Sequence, residues 1–261
     1  MGRFWRVYRA TLVSSVIRDL EFRANFIAKV IQAFGWVAFY VIIIEVIYRN
    51  VPEIAGWNRA MGMVLAGTVL LNAGVCGVLF PSLLDVPEQV RRGTLDFVLT
   101  RPIDTQFSVS LRKVEISRLG NFVSGMVMLV YGVSHLAHPP SMLDWAAFFV
   151  CLVGGIGFYY SLSFFLATLA VYFVRTDNIW VISEIMLESA RYPADVFPRV
   201  FRMIALYVVP VAIISTVPSR MLVSGADPGM VGLALTWGVV SLGLSRVFWV
   251  RSMDRYSSAS S

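Results

Sequence analysis

Charge, histidine, cysteine and lysine are scarce in this chain. Of its 261 residues 15% are charged, and it has two histidines and two cysteines. A soluble domain is normally about a quarter charged, so there is too little charge here to cover a surface facing water. Lysine occurs twice, as Lys29 after Ala28 and Lys113 after Arg112. A phosphate-cradling loop needs glycine, then lysine, then serine or threonine, because backbone amides and the ammonium together hold the phosphates. Neither lysine fits, so the chain has no Walker-type nucleotide site of its own. Cys76 and Cys151 both lie inside apolar runs, which argues for packing and against a disulfide framework or a metal site. His135 and His138 fit one helical turn, but Pro139 and Pro140 follow at once and Asp144 is the one carboxylate nearby. They read as interfacial polar groups, and no metal is expected. No Ser/His/Asp or Cys/His arrangement stands out, so the chain is not expected to be an enzyme.

Apolar residues are abundant: 57% of the chain is hydrophobic and its mean hydropathy is +0.72. That excess makes sense if the solvent is lipid. A bilayer-spanning helix needs roughly 20 mostly apolar residues. The expected fold is an all-α membrane protein with six spans, at about 26–48, 61–84, 119–137, 145–174, 200–217 and 230–250. The fourth run is longer than needed and should tilt or project. The fifth contains Pro210. Before it, 179–198 is apolar but short and carries Glu184 and Glu188; it reads as interfacial, re-entrant or the cytoplasmic half of a broken helix. The first long run begins at Phe26 and is too long for a signal-peptide core, so it is expected to be retained.

The arginines suggest an orientation. With the amino terminus inside, 19 of the 22 basic residues fall on the cytoplasmic side, among them Arg191, Arg199 and Arg202, leaving Arg49, Arg59 and Arg220 outside. That is a strong positive-inside bias, and an even number of spans puts both termini in the cytoplasm. Residues 1–25 have a separate pattern. Trp5, Tyr8, Leu12, Val16 and Leu20 recur at helical spacing opposite Arg3, Arg6, Ser14, Arg18 and Glu21. This predicts an amphipathic helix in the inner interface. Residues 251–261 form a polar tail.

Three polar features lie within or beside the spans. Glu45 is an ionisable group in the first span and a functional candidate by default, although Arg49 at i+4 offers a surface ion pair. Asn72, mid-way along the second span, is a candidate for the pathway or for a helix interface. On that helix Gly62/Ala66 and Ala73/Gly77 offer small-residue packing faces. Glu184 and Glu188 share one helical face and have Arg175 and Arg191 as partners within reach.

The longest polar connection, 85–118, holds the most information. Pro87 suits the first turn of a short helix carrying Glu88, Gln89, Arg91 and Arg92, which Gly93 then ends. Thr94 is placed to cap a second short helix with apolar Leu95, Phe97, Val98 and Leu99. A partly apolar surface edged by charge either docks a partner or folds back under the membrane, and the residues alone favour neither.

The run from Arg92 to Ile103, Arg-Gly-Thr-Leu-Asp-Phe-Val-Leu-Thr-Arg-Pro-Ile, resembles the charged-Gly-Thr-Leu-acidic-x-Leu-Leu-x-x-Pro signature of ABC-2-type transporter permeases. It departs from that signature at Val98 and in its basic Arg101. The likeness extends over nearly the whole chain and is nearest to a compact branch of about 260 residues. It implies that 85–118 is a cytoplasmic coupling segment, with Glu88, Arg91, Arg92, Gly93, Thr94, Leu95 and Asp96 forming or bracing contact with a separate ABC ATPase dimer. It further implies ATP with Mg in that partner, a second permease subunit, identical or homologous, no nucleic acid, and a prokaryotic cell membrane. The function implied is the permease subunit of an ATP-driven exporter. An intramembrane lipid-modifying enzyme and a secondary transporter are the alternatives; the former lacks clustered polar residues at one depth, the latter a repeated half.

Overall fold

The structure, a computed structural model, describes residues 13–15, 17, 23–100, 103–173 and 179–256. The expected amino-terminal amphipathic helix therefore lies almost wholly outside the described residues, as do Arg175 and the Arg101–Pro102 end of the family-like motif. Among the described residues the elements are helices joined by turns and short irregular connections, and the one sheet is a hairpin of two-residue strands, Glu53–Ile54 paired with Trp57–Asn58. Its turn residues Ala55 and Gly56 both have positive φ, as a two-residue hairpin loop twisted to match its strands requires.

The long helices are α1 (Arg23–Asn50), α2 (Arg59–Leu79), α6 (Leu119–Ser134), α7 (Met142–Thr168) and α11 (Pro228–Met253). Between α2 and α6 lie α3 (Val86–Arg91), α4 (Asp96–Leu99) and α5 (Thr105–Ser110). Between α7 and α11 lie α8 (Ile179–Ser189), α9 (Arg199–Met203) and α10 (Thr216–Val223). Among the described residues four helical stretches are long and apolar enough to cross a membrane: Arg59–Leu79, Ile116–Ser134, Met142–Val171 and Pro228–Met253. α1 matches them in length, at 28 residues. The outward faces of these helices are apolar; Ile31, Phe34, Val127, Val239 and Leu244 are each at least 60% exposed. A surface that greasy needs lipid around it.

Glycines set how closely the helices cross. A Cβ built on Gly67 would lie 2.6 Å from the Leu129 nitrogen, and one on Gly125 2.6 Å from the Leu71 nitrogen. Gly74 and Gly132 are equally tight against Phe122 and Val64. The α2–α6 contact is thus backbone on backbone. The pairs Gly62/Ala66 and Ala73/Gly77 are less tight: Gly62 meets the Tyr48 ring of α1, Ala66 packs with Met63, Leu70, Met128 of α6 and α1 residues, and a Cβ on Gly77 would lie 3.5 Å from the Arg118 side chain. The second close crossing brings Gly154 of α7 against Ala234 and Gly238 of α11.

The 200–217 run, expected as a span, is not a single helix. α9 passes into a π-helical turn at Ile204–Val208 and breaks at Pro210. There the Val211 N–H donates to the Val209 carbonyl at 2.6 Å, with Pro210 at φ −75°, ψ 57°, an inverse γ-turn. The chain then reverses. Arg202 and Arg220, eighteen positions apart, both reach Asp195, at 3.5 and 2.5 Å; a continuous helix would hold them about 27 Å apart. Residues 199–223 are therefore a hairpin whose tip, Ile213–Ile214, is buried at the level of Asn72 on α2. The cause is Pro210, which has no N–H to continue a helical ladder.

This hairpin also corrects the charge map. Trp57, in the α1–α2 connection, donates to Asp195 at 3.0 Å, so Arg202 lies at that end of the bundle, with Arg199 one turn before it. Arg202 belongs with Arg59 and Arg220, at the end opposite the 85–118 segment, and not with the arginines of that segment as expected.

Candidate functional site

The 85–118 segment is an ordered platform at one end of the bundle. Pro87 stands in the first turn of α3. Gly93 closes that helix with φ +67°; its N–H donates to Val90 (3.2 Å) and the Thr94 N–H to Gln89 (3.0 Å). This 6→1 and 5→2 pairing needs a left-handed residue at Gly93, which glycine adopts without strain. Thr94 does not cap α4. Its hydroxyl turns back to the Gln89 carbonyl, and α4 has no side-chain cap.

The platform has two sides. Leu95 and Val98 are fully buried and pack with Leu83, Val86, Val109, Phe164 and Trp249, which joins the platform to the ends of α7 and α11. On the other side Phe97 is 73% exposed. Arg91 and Arg92 extend outward, both paired to Glu88; pairs this open contribute about 0–1 kcal/mol. Asp96 opens α4 beside Tyr256, whose hydroxyl pKa is raised by burial and then by the Asp96 carboxylate. The segment therefore both folds back and presents a face, and its apolar residues divide between the two.

Sequence reasoning missed the residues that anchor the platform. Asp104 caps α5, accepting from the Phe107 N–H at 2.9 Å, and forms a two-point pair with Arg246 of α11 at 3.1 and 2.5 Å. Burial works against ionisation of Asp104, but the Phe107 N–H, Arg246 and the Gln106 N–H outweigh it and hold the carboxyl below its usual range. Buried Trp249 donates to Thr105 at 3.0 Å. On α7, the Tyr160 hydroxyl meets Ser110 at 2.7 Å and Gln106 at 3.2 Å. Near the end of α2, Lys113 pairs with Asp85 and its N–H donates to Ser82 at 2.7 Å. Gln89, on the buried side of α3, accepts from Arg112 at 3.1 Å. Ser15 accepts from the Val114 N–H at 3.3 Å. The one available sequence signal was Asp104 before Thr105 and Gln106, a helix start.

The other candidates lie elsewhere. Glu45 is paired at the far end with Arg49 (3.4 Å) and Arg59 (2.8 Å), and Arg59 also donates to the Tyr131 hydroxyl at 3.2 Å. His135 stacks on Tyr131, with its Nδ1 2.9 Å from the Tyr131 carbonyl. Asn72 is fully buried; its Nδ2 donates to the Ile214 carbonyl at 3.4 Å and its Oδ1 lies 3.7 Å from Cys76 Sγ. It braces the hairpin tip. Glu188 is paired with Arg191.

Compared with known proteins, residues 34–260 match the family described as ABC-2 family transporter protein. No curated protein and no solved structure matches the chain.

Proposed function

The chain belongs to the ABC-2 transporter family, and from that premise we propose that it is the permease subunit of an ATP-driven exporter, coupled through 85–118 to a separate ATPase. As a family member it is a multi-pass, permease-type transporter component. Beyond that, the reading gives ATP hydrolysis, with Mg, to a cytoplasmic ATPase dimer. A second permease subunit completes the pathway, and the site is the cell membrane of a prokaryote with both termini inside. Six spans follow if α8 and 190–198, which includes a 3-10 turn at Ala194–Val196, together make the fifth, followed by the 199–223 hairpin.

The observation that carries this reading is the two-sided platform. Its inner side is joined to α2, through the Glu115 N–H to the Val78 carbonyl, and to α7 and α11, and its outer side offers Phe97, Arg91 and Arg92. A rigid element with that division can receive a push from a docked partner and pass it on as rigid-body movement of helices. Arg91 and Arg92 contribute long-range attraction to an acidic partner groove, and Phe97 an apolar anchor.

The test is co-purification from native membranes with an ABC ATPase subunit. Phe97→Asp and Arg92→Glu are expected to weaken the association at least about tenfold, with the permease still folded. Failure of any ATPase to co-purify would sink the proposal.

A further inference from the structure

A cavity of about 400 Å³ lies in the half of the bundle nearest the platform, within the size range of small-ligand sites. One wall is α2 over 69–80, almost entirely apolar. The other is polar: Glu184, Glu188 and Arg191 reach it from one face of α8 and the residues just after it, Arg118 from the turn before α6, Tyr159 from α7, and Tyr40 from α1. Ionisable side chains at bilayer depth are costly to keep without a role. Of these, Arg118 alone belongs to the platform, as its last residue.

The deep end of this cavity already holds a cation. The Arg191 guanidinium lies over the Tyr40 ring, 4.7 Å from its centroid, and pairs with Glu188. An aromatic face and a carboxylate are the two elements that recognise ammonium groups. Here the occupant is the chain's own side chain, and it fits incompletely: its Nε is buried with no acceptor among the described residues. A buried donor left unmade costs about 1–3 kcal/mol, so a cation without that spare donor would sit there at lower cost.

We propose that this cavity binds an amphiphile with an ammonium head, which displaces Arg191 from between Tyr40 and Glu188 and lays its apolar part along α2. As a statement about transported cargo this rests on the permease reading above; as a statement about binding it does not. A quaternary ammonium carries no N–H, which makes it a good replacement for a guanidinium whose Nε goes unused. Glu188 supplies the opposite charge and Tyr40 the π face. In this view Arg191 is a tethered competitor that keeps the site closed to weak ligands.

The experiment is scintillation-proximity binding of tritiated octyltrimethylammonium to the full chain in nanodiscs. Saturable binding is expected, displaced by the unlabelled cation but not by octyl sulfate. Glu188→Gln should weaken it about tenfold and Tyr40→Leu severalfold. Arg191→Gln should tighten it severalfold, a gain that misfolding cannot produce. Binding no greater than in empty nanodiscs, equal displacement by octyl sulfate, or an Arg191→Gln variant that binds no better would each overturn the assignment. ATPase association is measured on the same preparations. Failed cation binding with the ATPase still attached rejects the cavity assignment alone, whereas loss of the ATPase from the unaltered chain rejects the permease reading.

Discussion

Asp104, at the start of α5, and Arg246, near the end of α11, face each other across the platform and share two hydrogen bonds, although 142 positions separate them. The pair is part-exposed, so it adds little to stability, about 1 kcal/mol or less. Its value is positional, since it fixes a short helix of the platform to a long apolar one. Arg246→Gln is therefore expected to leave folding and ATPase association nearly unchanged while lowering transport per ATP hydrolysed severalfold. Parallel assays of hydrolysis and transport in proteoliposomes check this; an unaltered ratio would show that the pair transmits nothing.

The same pair has a predictable pH range. The Asp104 carboxyl is held below its ordinary value, so its contribution is present above the unfolded carboxylate pKa of about 3.9 and is lost as pH falls through the lower folded value. Coupling between pH 5 and 8 should then be insensitive to this group. A titration of Asp104 inside that window, followed by carboxylate NMR, would contradict the geometry.

Gly67→Ala and Gly125→Ala should each destabilise the bundle by about 1–3 kcal/mol, because the new methyl meets backbone at 2.6 Å and backbone cannot swing aside. Gly232→Ala and Gly243→Ala, with nothing within 4 Å, should be close to neutral or mildly stabilising. Melting temperatures in one detergent would rank the four.

Asn72→Leu removes the donor that reaches the Ile214 carbonyl and forces a branched side chain in beside Gly155, whose built Cβ already lies 3.1 Å from Asn72. A loss of about 1–3 kcal/mol is expected, concentrated in the 199–223 hairpin. Hydrogen exchange should quicken at 211–216 ahead of the α2–α6 core; uniform quickening would place Asn72 in the general fold instead.

Asp195→Asn leaves Arg202 and Arg220 without their shared carboxylate and weakens the bond from Trp57. Both guanidinium groups are more than a third exposed and can turn to solvent, so the loss should stay at about 1–2 kcal/mol. Cysteines placed at 202 and 220 should cross-link readily in the parent chain and more slowly in the variant.

Much of this was legible in the sequence. Hydropathy located the five long helices, and Pro87 and Gly93 bracketed α3, because such signals are local. Direction was not legible. Pro210 marks a break, but the apolar run around it reads the same whether the chain crosses or turns back, and the reversal shows only in contacts distant in sequence, of Ile214 with Asn72 and of Arg202 and Arg220 with Asp195. That one reversal also moved Arg202 to the other end of the molecule. Small residues marked α2 as a packing helix, but which of its glycines meet α6 depends on the azimuth of the helix, which a list of small residues does not encode. The anchors Gln89, Tyr160, Arg246 and Trp249 were invisible for the same reason: each is ordinary in its own segment and acquires a role only across the fold.

The platform is fastened at three separated places: the Glu115 N–H to the Val78 carbonyl of α2, Ser110 and Gln106 to Tyr160 of α7, and Asp104 and Thr105 to Arg246 and Trp249 of α11. A plate bolted at one point swivels and at two points it hinges; at three points out of line it has no slack left to take up. Displacement delivered at Phe97 would therefore be shared at once among three helices, with no lost motion, and the stroke a partner makes need be no longer than the stroke the helices require.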